Sequence, residues 1–290
     1  MRVCLMIEGQ EGVTWEQWLA LALAAEAAGL DGLFRSDHYR SIVRGDPAGS
    51  LDAWATLAAL AARTERIRLG TMVSPVTFRP ASVLAKNVVT VDHVSHGRAE
   101  LGIGAGWFES EHAAYGFPFL TSRDRLDELD RQLEEIVRQW TTADDIWPKA
   151  VQKPRPWIIV GGRAKPRTVR AAIRFADEYN TVFASVAEAR ERRAVVDDAA
   201  REAGREPLVF SVMTGCVVGR DEAEVAERLR AFQPTVGSGE TPQICGTVDQ
   251  VVATLREYEA AGVDRVMLQH MTHEDVDMVA VLGEVASQLP

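Results

Sequence analysis

Asp37 and His38 are adjacent residues of the types that carry out proton transfer and ligand binding. A histidine can donate or accept a proton near neutral pH, and a carboxylate beside it can fix its orientation or bind a ligand. Neighbouring residues on a strand face opposite ways, so the two side chains need not touch. The alternative is that Asp37 caps a loop and His38 is a satisfied loop-edge histidine.

A run of alternating glycines, Gly102, Gly104 and Gly106, leads to Trp107. Glycines near the end of a strand let a flat ring or a backbone segment come close. Tight packing against a neighbouring helix would also need glycines there. The run therefore indicates close approach and leaves open what approaches.

A second glycine pair begins the segment 161–166, which reads Gly-Gly-Arg-Ala-Lys-Pro. Proline is well tolerated at a helix start, and the free amides at that end of a helix form an anion site. Arg163 and Lys165 add positive charge in a chain that is acidic overall. The segment predicts phosphate binding, with a plain strand-to-helix turn as the alternative.

We do not expect a metal site. Residues 109–112, Glu-Ser-Glu-His, include metal-ligating types, but they are consecutive rather than one helical turn apart. Cys4, Cys216 and Cys245 lie far apart, in no metal or disulfide spacing. We interpret the cysteines as small buried hydrophobic residues of a protein in a reduced, cytoplasmic setting.

The composition excludes several classes of protein. A formal charge of -10 over 290 residues argues against a nucleic-acid binder, which needs a concentrated positive surface. No stretch approaches the ~20 apolar residues that cross a bilayer, and no secretion signal precedes the first strand. With 47% hydrophobic residues the chain can bury a large core. We expect a soluble cytoplasmic protein that acts on a small molecule.

Short apolar strands alternate with longer amphipathic helices. Strands are predicted at 3–8, 33–38, 67–73, 99–103, 157–160, 180–183, 208–218 and 265–269. Helices are predicted at 14–29, 51–63, 80–94, 123–140, 166–176, 187–203, 221–232, 247–261 and 275–288. Thr14 is expected to cap the first helix, with Gln17 in the capping-box position.

This alternation implies a parallel sheet with right-handed crossovers. The chain length favours a barrel. An open dinucleotide-binding sheet would be expected to carry a Gly-rich fingerprint after the first strand, and this sequence has none there. We predict an α/β fold, a (β/α)8 TIM barrel, as a single domain over 1–290 with loop insertions at the C-terminal face.

In such a barrel the active site lies at the carboxyl ends of the strands, which makes Asp37-His38 a candidate. The other candidates at these ends are Glu8, Gln10, Ser36, Ser74, Thr77, Gly104, Gly106, Trp107, Gly161, Gly162, Arg163, Ala184, Ser185, Gln269 and His270.

Blocks in a fixed order along most of the chain resemble the luciferase-like monooxygenase superfamily, particularly its coenzyme F420 (deazaflavin)-dependent oxidoreductases. The matching blocks are Ala24 to Gly29, Ser36-Asp37-His38, Leu69 to Pro80, Asp92 to Ser95, Gly97-Arg98, Leu101 to Trp107, Glu111, Tyr115-Gly116, Ile159 to Gly162 and Ala176 to Asn180.

The resemblance implies a barrel enzyme that transfers hydride, or activates oxygen, at a flavin-type ring. It implies that Asp37 contacts the cofactor and that His38 donates or accepts the proton. Several relatives carry a non-prolyl cis peptide behind the ring, and the matching bond is Met72-Val73. The remaining residues at matching cofactor positions are Ala105, Gly106, Trp107, Ser110 and, for the phosphate, Gly161, Gly162, Arg163 and Lys165. Glu8 and Glu111 are expected at the substrate.

Two departures from the family concern the substrate. Sugar-phosphate dehydrogenases of the family place a catalytic glutamate where this chain has Trp107, so that substrate class is not carried over. The segments 140–154 and 232–246 are short against typical relatives, in which such segments help to shape the substrate side.

Three functions follow from these observations. The first is an F420-dependent oxidoreductase that transfers hydride between the deazaflavin and a small organic substrate. The second is an FMN-dependent monooxygenase on the same fold, which would need a flavin reductase partner. The third is a non-catalytic flavin-binding barrel, against which the Asp37-His38 pair argues. Barrels of this family commonly pair, so a homodimer is compatible with each.

Overall fold

The computed structural model describes residues 1–43, 48–236 and 241–289, and at its centre is a closed parallel β-barrel. The strands are β1 (Arg2–Ile7), β2 (Gly32–Arg35), β3 (Arg68–Thr71), β4 (Ser74–Pro75), β5 (Ala99–Gly104), β6 (Trp157–Gly161), β7 (Glu178–Val182), β8 (Val209–Gly219), β9 (Ile244–Thr247) and β10 (Arg265–Gln269). β3 and β4 form one barrel strand, because both pair with β5. Pairing of β10 with both β1 and β8 closes the barrel, and β9 extends the far end of β8. The predicted eight-stranded α/β barrel is confirmed.

Helices surround the barrel and connect its strands. They are α1 (Trp15–Ala27), α2 (Ala53–Ala61), α3 (Ala81–Val94), α4 (Glu109–Tyr115), α5 (Ser122–Thr141), α6 (Pro166–Phe175), α7 (Val186–Glu202), α8 (Glu222–Val236), α9 (Val248–Ala260) and α10 (Val276–Ala286), with a short 3-10 turn at Gly9–Glu11. The predicted capping box of Thr14 and Gln17 is present at the start of α1. Of the helices described, none is long and apolar enough to cross a membrane.

Side chains of a barrel strand alternate between the interior and the surrounding helices, as β1 illustrates. Val3, Leu5 and Ile7 belong to the large core between strands and helices. Cys4 and Met6 belong to a separate cluster inside the barrel. Both faces are apolar because neither meets water, which explains the continuous hydrophobic run of this strand.

The N-terminal end of the barrel interior is filled by a buried ion network around Arg265, which is 0% exposed. Its Nη1 donates to Glu100 Oε2 at 2.7 Å and to Glu178 Oε2 at 3.1 Å. Its Nη2 lies 3.1 Å from Asp31 Oδ2, and the guanidinium lies over the Phe34 ring. The space for a ligand is therefore at the opposite, C-terminal end.

Several boundaries differ from the sequence-based prediction. β2 ends at Arg35, so Asp37 and His38 lie in the loop after the strand. α4 and β9 were not predicted, because seven and four residues are too short to show a clear hydrophobic period. These two elements stand close to the strand ends where the site was expected.

Within the segment 142–156, Val151 and Gln152 contact the N-terminal end of the barrel. Asp92 Oδ2 accepts the amides of Val151 and Gln152 at 2.6 and 3.1 Å, and the Gln152 side chain donates to the carbonyl of Ala99, the first residue of β5. Val151 and Gln152, within the short segment 140–154, therefore lie at the closed end of the barrel, away from the predicted site. Of the segment 232–246, residues 237–240 and the side chains of 233–236 lie outside the described part.

Candidate active site

His38 lies just beyond β2, where the carboxyl ends of the strands converge. Its Nδ1 is 2.9 Å from Glu111 Oε2, and its side chain is 15% exposed. Trp107 and Phe108 meet the imidazole edge-on, with ring centroids 5.9 and 6.2 Å away. Nε2 has no hydrogen-bond partner within the described parts of the chain. The ring is therefore held at one nitrogen and open at the other.

Glu111 reaches His38 from α4, which follows β5, and it is fully buried. Its Oε1 accepts the backbone amides of Tyr39 and Arg40, the latter at 3.0 Å. Its two carboxylate oxygens are thus engaged by three groups of the loop after β2. This burial leaves no carboxylate surface for the substrate contact that the family resemblance implies.

The pKa of His38 is raised above its usual value of 6.5. Burial of the ring opposes this shift, because it disfavours the charged form. The hydrogen bond and charge of Glu111, together with the charges of Glu8 and Asp37, outweigh burial. Protonation of this ring is therefore favoured at neutral pH compared with a free histidine.

Asp37 points away from His38 into a buried ion pair with Arg79. Arg79 Nη1 lies 2.6 Å from Asp37 Oδ2, and Ser74 Oγ donates to the same oxygen at 2.7 Å. Nη2 of Arg79 also contacts Asp52 at 2.7 Å and the Tyr39 hydroxyl at 2.9 Å. These contacts make the Asp37 carboxylate a support for the ends of β2 and β4. Because Asp37 is 1% exposed, it offers no open surface for the expected cofactor contact.

Arg79 was not singled out from the sequence as a site residue. The local signal was a single arginine between Phe78 and Pro80, directly after the third barrel strand. Its partner Asp37 is 42 residues away in the chain, and no short-range pattern connects the two.

The Met72-Val73 peptide bond is cis, which confirms the prediction taken from the family resemblance. It lies between β3 and β4, and the Val73 side chain is partly exposed. A Cβ at Gly104 would stand 2.8 Å from Val73 Cγ2, and one at Gly161 would stand 3.3 Å from Val73 Cγ1. A Cβ at Gly102 would collide first with the backbone carbonyl of Thr71 and would also stand 3.2 Å from Val73 Cγ1. Gly104 and Gly161 therefore make room for Val73, and Gly102 chiefly for the backbone of β3, rather than for a helix.

Residues 105–110 form the rim beside this valine. Gly106 has φ +79°, a conformation that favours glycine, and a Cβ there would also meet Thr77 Oγ1 at 3.0 Å. Ala105 is partly exposed, Trp107 is 59% exposed, and Ser110 is exposed near the start of α4. Trp107 thus presents a large aromatic surface next to His38.

An aromatic cluster supports α4 from behind. Phe78 stacks on Phe117 at 4.7 Å, and Tyr39 lies 5.3 Å from Phe78 and 5.2 Å from Tyr115. His112 closes the cluster through a 2.6 Å hydrogen bond with Thr77 Oγ1. The side chains of Glu111 and His112 therefore have separate partners, and no group of three or more potential metal ligands occurs among the described residues.

The loop from β6 to α6 carries the predicted phosphate contacts. A Cβ at Gly162 would stand 2.5 Å from the Tyr179 hydroxyl, which accepts the amide of Ala164 at 2.8 Å. Lys165 occupies the N-cap of α6 and makes no capping hydrogen bond. Arg163 and Lys165 are exposed, and neither pairs with a carboxylate among residues 1–43, 48–236 and 241–289. The loop thus presents positive charge and uncapped helix amides.

Glu8 follows β1 and is held by two glutamines. Gln10 Nε2 donates to Oε2 at 2.8 Å, and Gln269 Nε2, at the end of β10, donates to Oε1 at 2.6 Å. Glu8 is partly exposed, and its charge contributes to the electrostatic field at His38.

Of the predicted residues, the structure joins His38, Glu111 and Trp107 in one group and Val73 with Gly161 in a second, while Asp37 lies in the separate ion pair.

Comparison with known proteins relates this arrangement to one family. The model of a family described as luciferase-like monooxygenase matches residues 2–242. The chain is 30% identical over 60% of its length to an FMNH(2)-dependent dimethylsulfone monooxygenase of Pseudomonas putida, and covers 50% of that protein. It is 35% identical over 43% of its length to an F420-dependent glucose-6-phosphate dehydrogenase of Amycolatopsis mediterranei, and covers 37% of it.

Among solved structures, the monooxygenase RslO1 from Streptomyces bottropensis is similar over the whole barrel. The TM-score is 0.81 at 23% identity, with 100% of this chain and 98% of the other covered. This likeness concerns the fold. The chain spans about half the length of the curated relatives that it matches.

Proposed function

Because the chain belongs to the luciferase-like monooxygenase family, we propose that it is a coenzyme F420-dependent oxidoreductase, with residues 1–290 acting as one barrel domain. Hydride would pass between the deazaflavin and a small organic substrate. Curated relatives include both F420-dependent and FMNH(2)-dependent proteins, so an oxidoreductase with a flavin-type cofactor is the coarser statement they support.

The observation that carries the proposal is the position of Val73. Its side chain projects from the cis peptide at the mouth of the barrel, surrounded by glycines of β5 and β6, and offers a smooth apolar surface for a flat ring. Met72, which is 7% exposed, belongs to the interior cluster below it. Ala105, Gly106, Trp107 and Ser110 would border the ring on the α4 side.

The loop after β6 fits the anionic part of such a cofactor. Gly161 and Gly162 permit close approach of the backbone, and the uncapped amides of α6 favour a negative charge. Arg163 and Lys165 have no acidic partner among the described residues, and would pair with phosphate.

His38 is the proton-transfer group of the proposal. When bound, the deazaflavin supplies the hydride chemistry, while the protein binds, orients and handles protons. Nε2 of His38 would hold the proton that an alcohol or carbonyl oxygen of the substrate loses or gains. Glu8, partly exposed and fixed by two glutamines, would contact the substrate on the opposite side of the mouth.

An FMN-dependent monooxygenase is the second candidate, favoured by the sulfone monooxygenase relative. It would bind FMN against the same Val73 surface and the same loop after β6, and it would need a flavin reductase as a partner. A non-catalytic flavin-binding barrel is the third candidate, and the buried support of His38 by Glu111 weighs against it.

Titration of the purified protein with F420 and, separately, with FMN tests the cofactor. We expect F420 to bind at least roughly tenfold more tightly than FMN, a difference of about 1.4 kcal/mol. Tight FMN binding without F420 binding would favour the monooxygenase, and binding of neither would refute both enzymes.

A His38→Gln variant tests the proton-transfer role. It should keep cofactor affinity and lose about 10²- to 10⁴-fold in turnover, the usual contribution of a positioned acid or base. The matched control is His93→Gln, which removes an exposed histidine of α3 far from the mouth. Full turnover by His38→Gln would remove this histidine from the mechanism.

A further inference from the structure

We propose that Glu111 is a positioning residue, which holds His38 by Nδ1 so that only Nε2 is presented to the barrel mouth. The catalytic meaning of this arrangement rests on the proposed function, in which His38 transfers a proton. The state of the ring itself can be measured without cofactor or substrate.

The first step of the argument is the anchoring of the carboxylate. Glu111 is 0% exposed, and its Oε1 accepts the amides of Tyr39 and Arg40. These amides follow directly after His38 in the chain, so the carboxylate is fixed to the same loop that carries the histidine. With Oε1 occupied, Oε2 lies 2.9 Å from His38 Nδ1, its partner among the described residues.

The second step is the state of the imidazole. An ionised carboxylate only accepts hydrogen bonds, so Nδ1 must carry the hydrogen. Since the neutral ring has one N–H, Nε2 is then the nitrogen that takes up and releases the proton. Contacts with Trp107 and Phe108 limit rotation of the ring, which keeps Nε2 directed at the mouth.

The third step concerns charge. The acidic groups that act on His38 are Glu111 from α4, Glu8 after β1 and, from its ion pair with Arg79, Asp37 of the same loop, and all of them favour the imidazolium. Burial of the ring lowers the pKa of His38. Glu111 raises it both by its hydrogen bond and by its charge, and makes the largest contribution in that direction. The same carboxylate therefore sets both the direction and the protonation of the ring.

A Glu111→Gln variant separates these effects. The amide oxygen can still accept the two backbone amides, but the remaining group is then an NH2, which needs Nδ1 as an acceptor. The neutral ring would have to move its hydrogen to Nε2, and protonation would be opposed. Glu111→Asp keeps the charge on a side chain one methylene shorter and should restore part of the wild-type behaviour.

Nitrogen-15 NMR of histidine-labelled protein measures the outcome, with His38→Gln used to assign the signal. In the wild type we expect the neutral His38 ring to carry its hydrogen on Nδ1. In Glu111→Gln the hydrogen should move to Nε2 and the pKa of His38 should fall, because the charge and the accepting oxygen of Glu111 are lost. Glu109→Gln, on the exposed side of α4, is the matched control and should change neither property.

A wild-type ring with its hydrogen on Nε2 would overturn the proposal, as would an unchanged ring in Glu111→Gln. If Glu111→Gln does not fold, the wild-type ring and Glu111→Asp still decide the question. Once turnover is found, Glu111→Gln should lower kcat by roughly 100-fold, within the range of general acid–base effects, and shift the pH profile to lower pH. Failure to bind F420 would refute the proposed function and leave the NMR result standing.

Discussion

Arg79 and Asp37 form a buried ion pair directly behind the residues that surround the barrel mouth. Nη1 of the arginine lies 2.6 Å from Oδ2 of the aspartate, and their side chains are 9% and 1% exposed. Ser74 adds a hydrogen bond to the same carboxylate oxygen. The pair connects the loop after β2 with the residues that follow the cis peptide.

Arg79→Leu should therefore destabilise the protein strongly, because it leaves the carboxylate of Asp37 buried and unpaired. We expect a loss of about 3 kcal/mol or more in the free energy of unfolding, measured by urea denaturation. Adding Asp37→Asn should recover part of that loss. The control Arg131→Ala removes an exposed pair on α5 and should cost less than about 1 kcal/mol. A similar small loss for Arg79→Leu would contradict the buried pair.

Gly104→Ala tests whether Gly104 of β5 makes room for Val73. The new Cβ would stand 2.8 Å from Val73 Cγ2, so the valine must shift. We expect a cost of about 1–3 kcal/mol in thermal unfolding, together with weaker cofactor binding. Adding Val73→Ala should relieve the strain, and a double-mutant cycle measures this coupling. Gly49→Ala, which meets nothing within 4 Å, is the control. Additive effects would refute the contact.

Charge removal tests the loop after β6. Arg163→Ala combined with Lys165→Ala should weaken F420 binding by roughly tenfold or more, since each cation contributes a charge-assisted bond to phosphate. The loss should shrink as salt is raised, because exposed charges are screened. Arg170→Ala, on an exposed position of α6, should leave the dissociation constant unchanged. If Arg170→Ala weakened F420 binding as much as the double variant does, the effect would be due to the net charge of the protein and not to the loop.

His270, after β10, is expected to make stability depend on pH. Burial lowers the pKa of its ring from 6.5 to about 4. Between these values the unfolded chain binds a proton that the native protein does not, so stability falls as pH drops through this window. The full effect is about 3 kcal/mol.

Urea denaturation at pH 7.5 and at pH 4.5 measures this contribution. His270→Gln should reduce the stability difference between the two conditions by roughly 2 kcal/mol or more. His93→Gln should leave it as in the wild type. An unchanged difference in His270→Gln would show that the buried ring is not responsible.

Much of the fold was accessible from local patterns. The alternation of apolar strands and amphipathic helices predicted the barrel, and β10 was predicted at its observed bounds of 265–269. The cis Met72-Val73 bond was predicted from the family resemblance rather than from the residues themselves. Short elements such as α4 escaped because their few residues carry no clear period.

The candidate site was accessible only in part. The rule that barrel strands end at the active site drew attention to His38, but its partner Glu111 is 73 residues away. In the same way, alternating glycines indicated a close approach without naming Val73 as the approaching group. Such contacts form when the barrel closes and brings distant parts of the chain together. A local sequence pattern does not show which distant side chain will contact a given residue.

The ion network around Arg265 occupies the closed end of the barrel, while the proposed ring seat and His38 lie at the other end. Molecules that reach the interior would then share one entrance. A cofactor bound against Val73 would lie deeper than a substrate that covers it. The cofactor would therefore have to bind before the substrate and leave after the product. The expected kinetic order is therefore sequential, with the cofactor binding first and the product of the organic substrate departing first.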